Sequence, residues 1–318
     1  MQVNPEVIPH LHSYDLYSYF YGLVTQIPEG KISTYGDLAA ALGDIAAARS
    51  CAYMISICRD CNEIPIHRVI RSDGYIWKYT RYLGQSEKIR MLHSEGIDTN
   101  GSQVVDFEKL RHKEFVSIKP LEIMRNVQDK ISKKVDVSGS YDDDAAIGAV
   151  DVSYDDGFGY GSFVWRDSDG LHTRNAVLPV RFPYIPGYLA FREFRFIETL
   201  CRDFKGILLI DGNGYLHPRR AGLASYAGVM LGIRTIGIAK SLLMGQIIGN
   251  YVYIDSERVA YASGRRFIVS AGHGISLDNA VEFLNKAFQG RYPDLLRIAH
   301  KNTVDLRVNQ QFTRTLGD

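Results

Sequence analysis

The stretch ILLIDGNGYLHPRRAGLASYAG, residues 207–228, decides the fold. Its first four residues are apolar and predict a buried strand, and Asp211 follows at the strand's exit, just before a glycine-rich turn. A carboxylate leaving an apolar strand loses hydration, so it needs a cation or dense hydrogen bonding to stay ionised. A divalent metal with a phosphate would satisfy Asp211 and the basic residues that follow it. The alternative interpretation is that Asp211 only caps the next turn.

Two more carboxylates come from similar surroundings upstream. Asp151 lies inside the apolar run 146–154, where an aspartate is disfavoured unless something binds it. Glu193 lies on a predicted helix that follows the Pro-bounded loop 182–187. Oxygen ligands from separate elements suit Mg²⁺ or Mn²⁺, so the sequence predicts a metal site built from these carboxylates.

A lysine and a histidine complete the set of charged groups near strand ends. Lys240 ends the apolar run 235–239, and His273 lies in the glycine-rich stretch 270–278. A single residue of this kind is usually solvated or satisfied in the core. Because charged residues recur at several predicted strand ends, we favour the interpretation that they form one shared site.

Five ordered blocks resemble the endonuclease V family, whose members cleave DNA near deoxyinosine and other deaminated bases. The blocks are DVSY (151–154), PYIPGYLAFRE (183–193), LLIDGNGYLHPRRAGLASYAG (208–228), TIGIAKS (235–241) and GHGISLDNA (272–280). The resemblance implies an α/β, ribonuclease H-like fold with a mixed sheet flanked by helices. It also implies Mg²⁺-dependent hydrolysis, with Mn²⁺ as a substitute, of the second phosphodiester bond 3′ to the lesion.

The resemblance also implies roles for individual residues. Asp151 and Asp211 hold the metal, with Glu193 as a further ligand or as the group that orients a water. Lys240 neutralises charge on the phosphate, and His273 assists the nucleophile or a second metal. The segment Pro183, Tyr184, Ile185 and Pro186, which we call the wedge segment, is inserted at the lesion; the alternative is that it only packs its loop. The expected pocket for the extruded base consists of Gly212, Gly214, His217 and Gly222.

Length and composition set the wider bounds. At 318 residues the chain is long for one domain, and 46% hydrophobic residues provide for a core. We expect an alkyltransferase-like DNA-binding domain at 1–104, a linker at 105–118 and a nuclease domain at 119–318. No apolar run is long enough to span a bilayer, and the start lacks signal-peptide features, so we expect a cytoplasmic protein without membrane partners. The four cysteines do not suggest a secreted disulfide framework.

Residues 34–57 predict a helix-turn-helix motif. Thr34 with Asp37 fits a capping box, the first helix ends at Gly43, and a second helix runs to Ile57. The second helix of such a motif can enter a DNA groove. We therefore expect a small, mainly helical winged helix-turn-helix domain ahead of the nuclease.

The block Ile64-Pro65-Ile66-His67-Arg68-Val69 sharpens this prediction. It resembles the DNA-binding domain of the O6-alkylguanine-DNA alkyltransferases, where a cysteine accepts the alkyl group at the position of Ile66. Without a thiolate there is no nucleophile, so alkyl transfer is predicted to be absent. His67 and Glu95, which activate the cysteine in that family, would remain as structural groups.

Other features of that family carry over to this chain. Tyr35 matches a tyrosine that helps to rotate the target nucleotide, Arg49 matches the arginine that fills the vacated stack, and Tyr79 matches a pocket-wall tyrosine. Two hypotheses stay open: the domain recognises O6-alkylguanine by flipping it, or it only grips DNA. Two alternatives also stay open for the whole chain, an inosine-directed ribonuclease and a lesion-binding scaffold with a vestigial nuclease.

Overall fold

The computed structural model describes residues 11–58, 63–77, 80, 84–155, 157–264 and 266–315, with side chains to 309. Internal contacts divide the chain into two compact units. The N-terminal unit comprises Tyr14–Arg125 and Arg181–Pro186; the C-terminal unit comprises the described parts of Met1–Ser13, Asn126–Val180 and Gly187–Asp318. The expected linker, 105–118, thus lies within the N-terminal unit. The division into separable domains at 104 and 118 stays a prediction.

Short helices and two small sheets build the N-terminal unit. Its helices are α1 (Leu16–Val24), α2 (Tyr35–Leu42), α3 (Ala48–Ile57), α4 (Gln85–Ser94) and α5 (Phe107–Leu110). Its strands are β1 (Ser33–Thr34), β2 (Val69–Ile70), β3 (Thr99–Asn100) and β4 (Gln103–Val104), with β1 parallel to β2 and β3 antiparallel to β4. Helix α6 (Pro120–Ser132) begins in this unit and ends in the other.

The predicted helix-turn-helix is present in the N-terminal unit. Thr34 and Asp37 form the capping box, because the Thr34 hydroxyl accepts the Asp37 N–H and the Asp37 carboxylate accepts the Thr34 N–H. Gly43 ends α2 in the left-handed region at φ 100°, where glycine carries no Cβ penalty. A 3₁₀ turn, Ile45–Ala47, then leads into α3, which we call the recognition helix.

A nine-stranded mixed sheet forms the centre of the C-terminal unit. Its strands are β5 (Ile147–Asp155), β6 (Phe158–Asp167), β7 (Gly170–Pro179), β8 (Ile207–Asp211), β9 (Arg234–Ala239), β10 (Gln246–Ile248), β11 (Tyr251–Ile254), β12 (Glu257–Ser263) and β13 (Phe267–His273). The spatial order is β10-β11-β12-β13-β9-β8-β5-β6-β7. The central pairs β5–β8 and β8–β9 are parallel, and the other pairs are antiparallel. The mixed sheet predicted from the resemblance is confirmed.

Helices cover both faces of this sheet. They are α7 (Leu189–Cys201), α8 (Leu223–Leu231), α9 (Leu277–Phe288) and α10 (Asp294–Thr315). Gly159 and Gly161 of β6 leave room for Phe196 and Leu200 of α7. On the opposite face, Ser162 of β6 accepts a hydrogen bond from Asn302 of α10. No described helix combines the length and apolar composition that crossing a membrane requires.

Candidate active site

Two aspartates lie side by side where the parallel pairing of β5 with β8 ends. Val150 and Ile210 form the last pair in the register of β5 and β8, so Asp151, in the middle of β5, and Asp211, at the end of β8, lie next to each other at this edge of the parallel pairing. Asp151 is only 8% exposed. Burial raises the pKa of Asp211, and the hydrogen bond from Lys240 opposes this rise only in part. This edge therefore holds carboxylates in a poorly solvated place.

Glu193 adds a third carboxylate from helix α7. It is 9% exposed, and Tyr154 Oη donates a hydrogen bond to its Oε1 at 2.8 Å. Burial raises the pKa of Glu193 to about 8, and the charges of Asp151 and Asp211 act in the same direction, whereas Tyr154 and Arg192 oppose it. Because the two aspartates raise the pKa of Glu193, the three carboxylates are close enough to repel one another.

Lys240 and His300 each contact one aspartate. Lys240 follows β9, and its Nζ donates to Asp211 Oδ2 at 2.7 Å. Burial lowers the pKa of Lys240, but the hydrogen bond to Asp211 outweighs this, so the net pKa is raised. His300 Nδ1, on α10, lies 2.8 Å from Asp151 Oδ2. Both contacts use Oδ2, and the described residues place no hydrogen bond on either Oδ1.

The donor set fits a divalent cation. As placed, no three acidic, histidine or cysteine side chains among the described residues close around a common point. The chemistry of the set still points to a cation, because hard divalent ions prefer carboxylate oxygens. Burial is the main cause of the raised pKa of Glu193, and such an ion would offset the charges of Asp151 and Asp211 that add to it. Asp151, Asp211 and Glu193 are the residues that could hold it.

The turn after Asp211 depends on tight backbone packing. The Gly222 N–H donates to Gly214 O at 3.1 Å, and a Cβ on either glycine would collide with neighbouring main chain. His217 is 4% exposed; its Nδ1 accepts the Arg219 N–H at 3.2 Å, and its Nε2 lies 3.2 Å from Gly187 O. Burial lowers the pKa of His217 to about 4, so the ring is neutral and donates through Nε2.

A buried polar cluster occupies the expected acceptor site in the N-terminal unit. Ile66 is fully buried in a 3₁₀ turn. His67 Nε2 lies 2.6 Å from Glu95 Oε1, and Arg68 Nη2 donates to the same oxygen at 2.8 Å. Burial raises the pKa of Glu95, but its hydrogen bonds from Arg68 and His67 make the net shift downward. Ion pairs with Glu95 thus hold His67 Nε2 and Arg68, whereas the buried His67 Nδ1 has no hydrogen-bond partner among the described residues.

The DNA-contacting residues expected in that unit are placed as follows. Tyr35 begins α2 beside Arg71, and burial raises its pKa to about 12. Arg49 is exposed on the recognition helix. Tyr79 lies outside the described residues.

Comparison with known proteins decides the family. Residues 129–301, more than half of the chain, match the family model for endonuclease V. The chain belongs to the endonuclease V family. Residues 15–97 match the model for the DNA-binding domain of 6-O-methylguanine DNA methyltransferase. This endonuclease V, a nuclease of the hydrolase class, thus carries a methyltransferase-like DNA-binding domain. The combination of the two parts is that of a DNA-repair protein.

Relatives with the same two parts span nearly the whole chain. A bifunctional methyltransferase/endonuclease of Picrophilus torridus is 46% identical, covering 94% of this chain and 99% of the relative. The protein of the same description from Thermoplasma volcanium is 43% identical, covering 92% and 90%. The crystal structure of endonuclease V from Streptomyces avermitilis matches with a TM-score of 0.52 and 29% identity, covering 60% of this chain and 94% of that one. The C-terminal unit therefore has the ribonuclease H-like fold of endonuclease V.

The structure brings four of the five expected catalytic residues of this endonuclease V to one sheet edge: Asp151, Glu193, Asp211 and Lys240. His273 is not with them. It lies opposite Thr235, near the start of β9, whereas Lys240 follows the end of that strand. Its Nδ1 accepts the Asp136 N–H at 3.1 Å. Because β13 runs antiparallel to β9, its last residue is carried away from the carboxylates, and the expected role of His273 is corrected accordingly.

Two residues in the site were not assigned from the sequence. Tyr154 ends the DVSY block, and its tyrosine side chain holds Glu193. His300 has a weaker signal: it follows the buried Leu296 by four residues, which places it at the margin of the packed side of α10, with its side chain half-exposed. A half-exposed histidine on this helix becomes a site residue only once the helix is known to pack on β5.

Proposed function

We propose that this protein is a Mg²⁺-dependent endonuclease that hydrolyses the second phosphodiester bond 3′ to deoxyinosine in DNA. The observation that carries the proposal is the crowding of Asp151, Glu193 and Asp211 at one sheet edge, where the charges of the two aspartates add to burial in raising the pKa of Glu193. The resemblance to endonuclease V supplies the lesion and the bond. Mn²⁺ is expected to substitute for Mg²⁺, because it accepts the same oxygen ligands.

Each side chain of the site has a distinct part in this mechanism. Asp151 and Asp211 would hold the ion, and Glu193, fixed by Tyr154, would be a further ligand or orient the attacking water. When bound, such an ion would supply Lewis-acid chemistry, which lowers the pKa of a water and offsets charge on the phosphoryl oxygens. Lys240 orients Asp211 and stabilises negative charge that develops on the phosphate. His300 fixes the orientation of Asp151.

The extruded base needs a tight pocket on the same unit. Gly214 and Gly222 bring main-chain groups close together, Gly212 lies beside Leu223, and main-chain groups of this turn can read the edge of hypoxanthine. His217 holds the Gly187 carbonyl rather than pointing a free donor outward, so its contribution is to fix the loop that follows the wedge segment.

The N-terminal unit binds DNA, and its partners include alkylated DNA, without accepting an alkyl group. Ile66 offers no nucleophile, and the His67–Glu95–Arg68 cluster serves as a buried structural ion pair. Radiolabelled methyl transferred from O6-methylguanine to the protein would refute this part of the proposal.

The decisive test is a cleavage panel with the full chain. Matched duplexes carry inosine, uracil, an abasic site or no lesion, with and without Mg²⁺, together with an inosine-containing RNA strand. We expect a nick at the second phosphodiester bond 3′ to the inosine. It should occur in DNA and only when metal is present. Preference for the RNA strand would indicate a ribonuclease. Binding without any nick would indicate a lesion-binding scaffold.

A further inference from the structure

The wedge segment belongs to the N-terminal unit, although it lies in the middle of the nuclease sequence. Arg181–Pro186 joins that unit, while the residues on both sides of it join the other. Phe182 and Ile185 are 3% and 1% exposed, whereas Tyr184 between them is 58% exposed. The segment is thus anchored by two buried side chains and presents one aromatic ring to solvent.

Two hydrogen bonds tie this segment to the N-terminal helices. The Leu16 N–H, at the start of α1, donates to Arg181 O at 2.9 Å. Ser50 Oγ, on the recognition helix, donates to Tyr184 O at 2.7 Å, and Ser50 is only 4% exposed. Because the serine side of this second bond is buried, the bond holds the main chain that carries the Tyr184 ring.

The same helix presents groups suited to nucleic acid beside Ser50. Arg49 precedes Ser50 and is exposed, and no ion pair to Arg49 occurs within the described chain. Tyr53, four residues on, is 45% exposed, and Ile45, in the preceding turn, is 66% exposed. This face combines a cation, which can contact phosphates, with an aromatic ring and an apolar side chain, which can stack on exposed bases.

The other end of the wedge segment is held in the C-terminal unit. Gly187 has φ +80°, and its carbonyl accepts hydrogen bonds from Gln128 Nε2 at 3.0 Å, Arg219 Nη2 at 2.6 Å and His217 Nε2 at 3.2 Å. Glu193 follows six residues later, on α7. Along the chain, Tyr184 therefore precedes the carboxylate-bearing Glu193 by nine residues.

We propose that the recognition helix and the wedge segment form one DNA-probing element, in which Ser50 positions Tyr184 beside Arg49. The inference rests on the proposed endonuclease function and deepens it. The methyltransferase-like part then serves the nuclease directly: it sets where the aromatic wedge meets the duplex, instead of acting on separate lesions. Ser50 is a positioning residue, because it reaches DNA only through Tyr184.

The test compares two serines of the same helix in the full chain. Ser50→Ala removes the bond to Tyr184 O, whereas Ser56→Ala is the matched control, because Ser56 Oγ donates to Tyr53 O within the helix. We expect Ser50→Ala to slow single-turnover nicking of an inosine duplex roughly tenfold, the effect of losing one buried hydrogen bond. Ser56→Ala should nick at the wild-type rate, and the Mg²⁺ concentration for half-maximal activity should not change in either variant.

A second readout does not need cleavage. In the Asp211→Ala background, 2-aminopurine next to the inosine reports base unstacking by a rise in fluorescence. Ser50→Ala should reduce this rise, and Ser56→Ala should not. Tyr184→Ala should reduce it as well, and adding Ser50→Ala to Tyr184→Ala should cause no further loss, because both changes remove the same wedge.

The possible outcomes separate the two proposals. If the wild-type chain nicks inosine DNA and both serine variants behave alike in rate and fluorescence, this inference is overturned while the nuclease function stands. Additive losses in the double variant would also overturn it. A wild-type chain that neither nicks nor unstacks inosine DNA would overturn the proposed function and this inference with it.

Discussion

His300 Nδ1 lies 2.8 Å from Asp151 Oδ2 and so joins the terminal helix α10 to the central strand β5. The histidine side chain is 56% exposed, whereas that of Asp151 is 9% exposed. The contact restrains the aspartate from the solvent side. It shows that the nuclease site is completed by a helix that lies more than a hundred residues beyond the strand.

We expect His300→Ala to lower the nicking rate or the apparent Mg²⁺ affinity by roughly 10–100-fold, the usual effect of removing a group that orients a metal ligand. His300→Asn, which keeps a donor near the Nδ1 position, should recover part of the loss. Metal titrations of single-turnover cleavage measure both quantities. Wild-type behaviour of His300→Ala would remove His300 from the site.

Asp211→Ala should abolish cleavage and leave DNA binding largely intact. It should also remove stabilisation by metal, since an ion that binds only the folded state adds about 2.7 kcal/mol to the free energy of unfolding at a hundred times its Kd. Denaturant unfolding with and without Mg²⁺ measures this for wild type and variant. Equal stabilisation of the two proteins would place the ion elsewhere.

Stability should depend on His217 in acid. Burial lowers its pKa from 6.5 to about 4, so between these values the unfolded chain binds a proton that the folded chain excludes. The free energy of unfolding should therefore fall by about 3 kcal/mol as the pH drops through this window, and be unaffected by His217 above it. His217→Gln should show a correspondingly flatter pH profile. His12, whose pKa burial also lowers to about 4, remains in both proteins, so only the difference between the profiles is diagnostic.

Arg49→Ala tests lesion recognition by the N-terminal unit. If this exposed side chain fills the space left by a flipped base, the variant should bind O6-methylguanine duplexes roughly tenfold more weakly, the loss expected for one specific contact. Fluorescence anisotropy at fixed salt measures the affinity, and an undamaged duplex of the same sequence is the control. Equal weakening on both duplexes would favour the hypothesis that the unit only grips DNA.

Local chemistry made several features predictable from the sequence. Thr34, Asp37 and Gly43 defined a helix because caps act over three or four residues. Asp151 and Asp211 were recognisable as candidate metal ligands, because a carboxylate in or beside an apolar strand needs a cation or dense hydrogen bonding to stay ionised. The placement of Lys240 followed similarly from the end of its strand.

The misplacement of His273 has a physical cause in the sheet topology. Its block looks like the other strand-end blocks, but β13 is antiparallel to β9, and strand direction is not encoded in a run of apolar residues. Distant pairing alone decides which end of the sheet such a residue reaches.

By itself, the sequence determined the two-part composition, the helix-turn-helix, the buried strands and the carboxylates, since each follows from short-range patterns of polarity and turn chemistry. Only the tertiary structure decided that His300 meets Asp151, that His273 points elsewhere and that Ser50 holds Tyr184. Along the chain, His300 lies 149 residues from Asp151, His273 lies 38 from its strand partner Thr235, and Ser50 lies 134 from Tyr184. These contacts depend on packing between elements that no local pattern specifies.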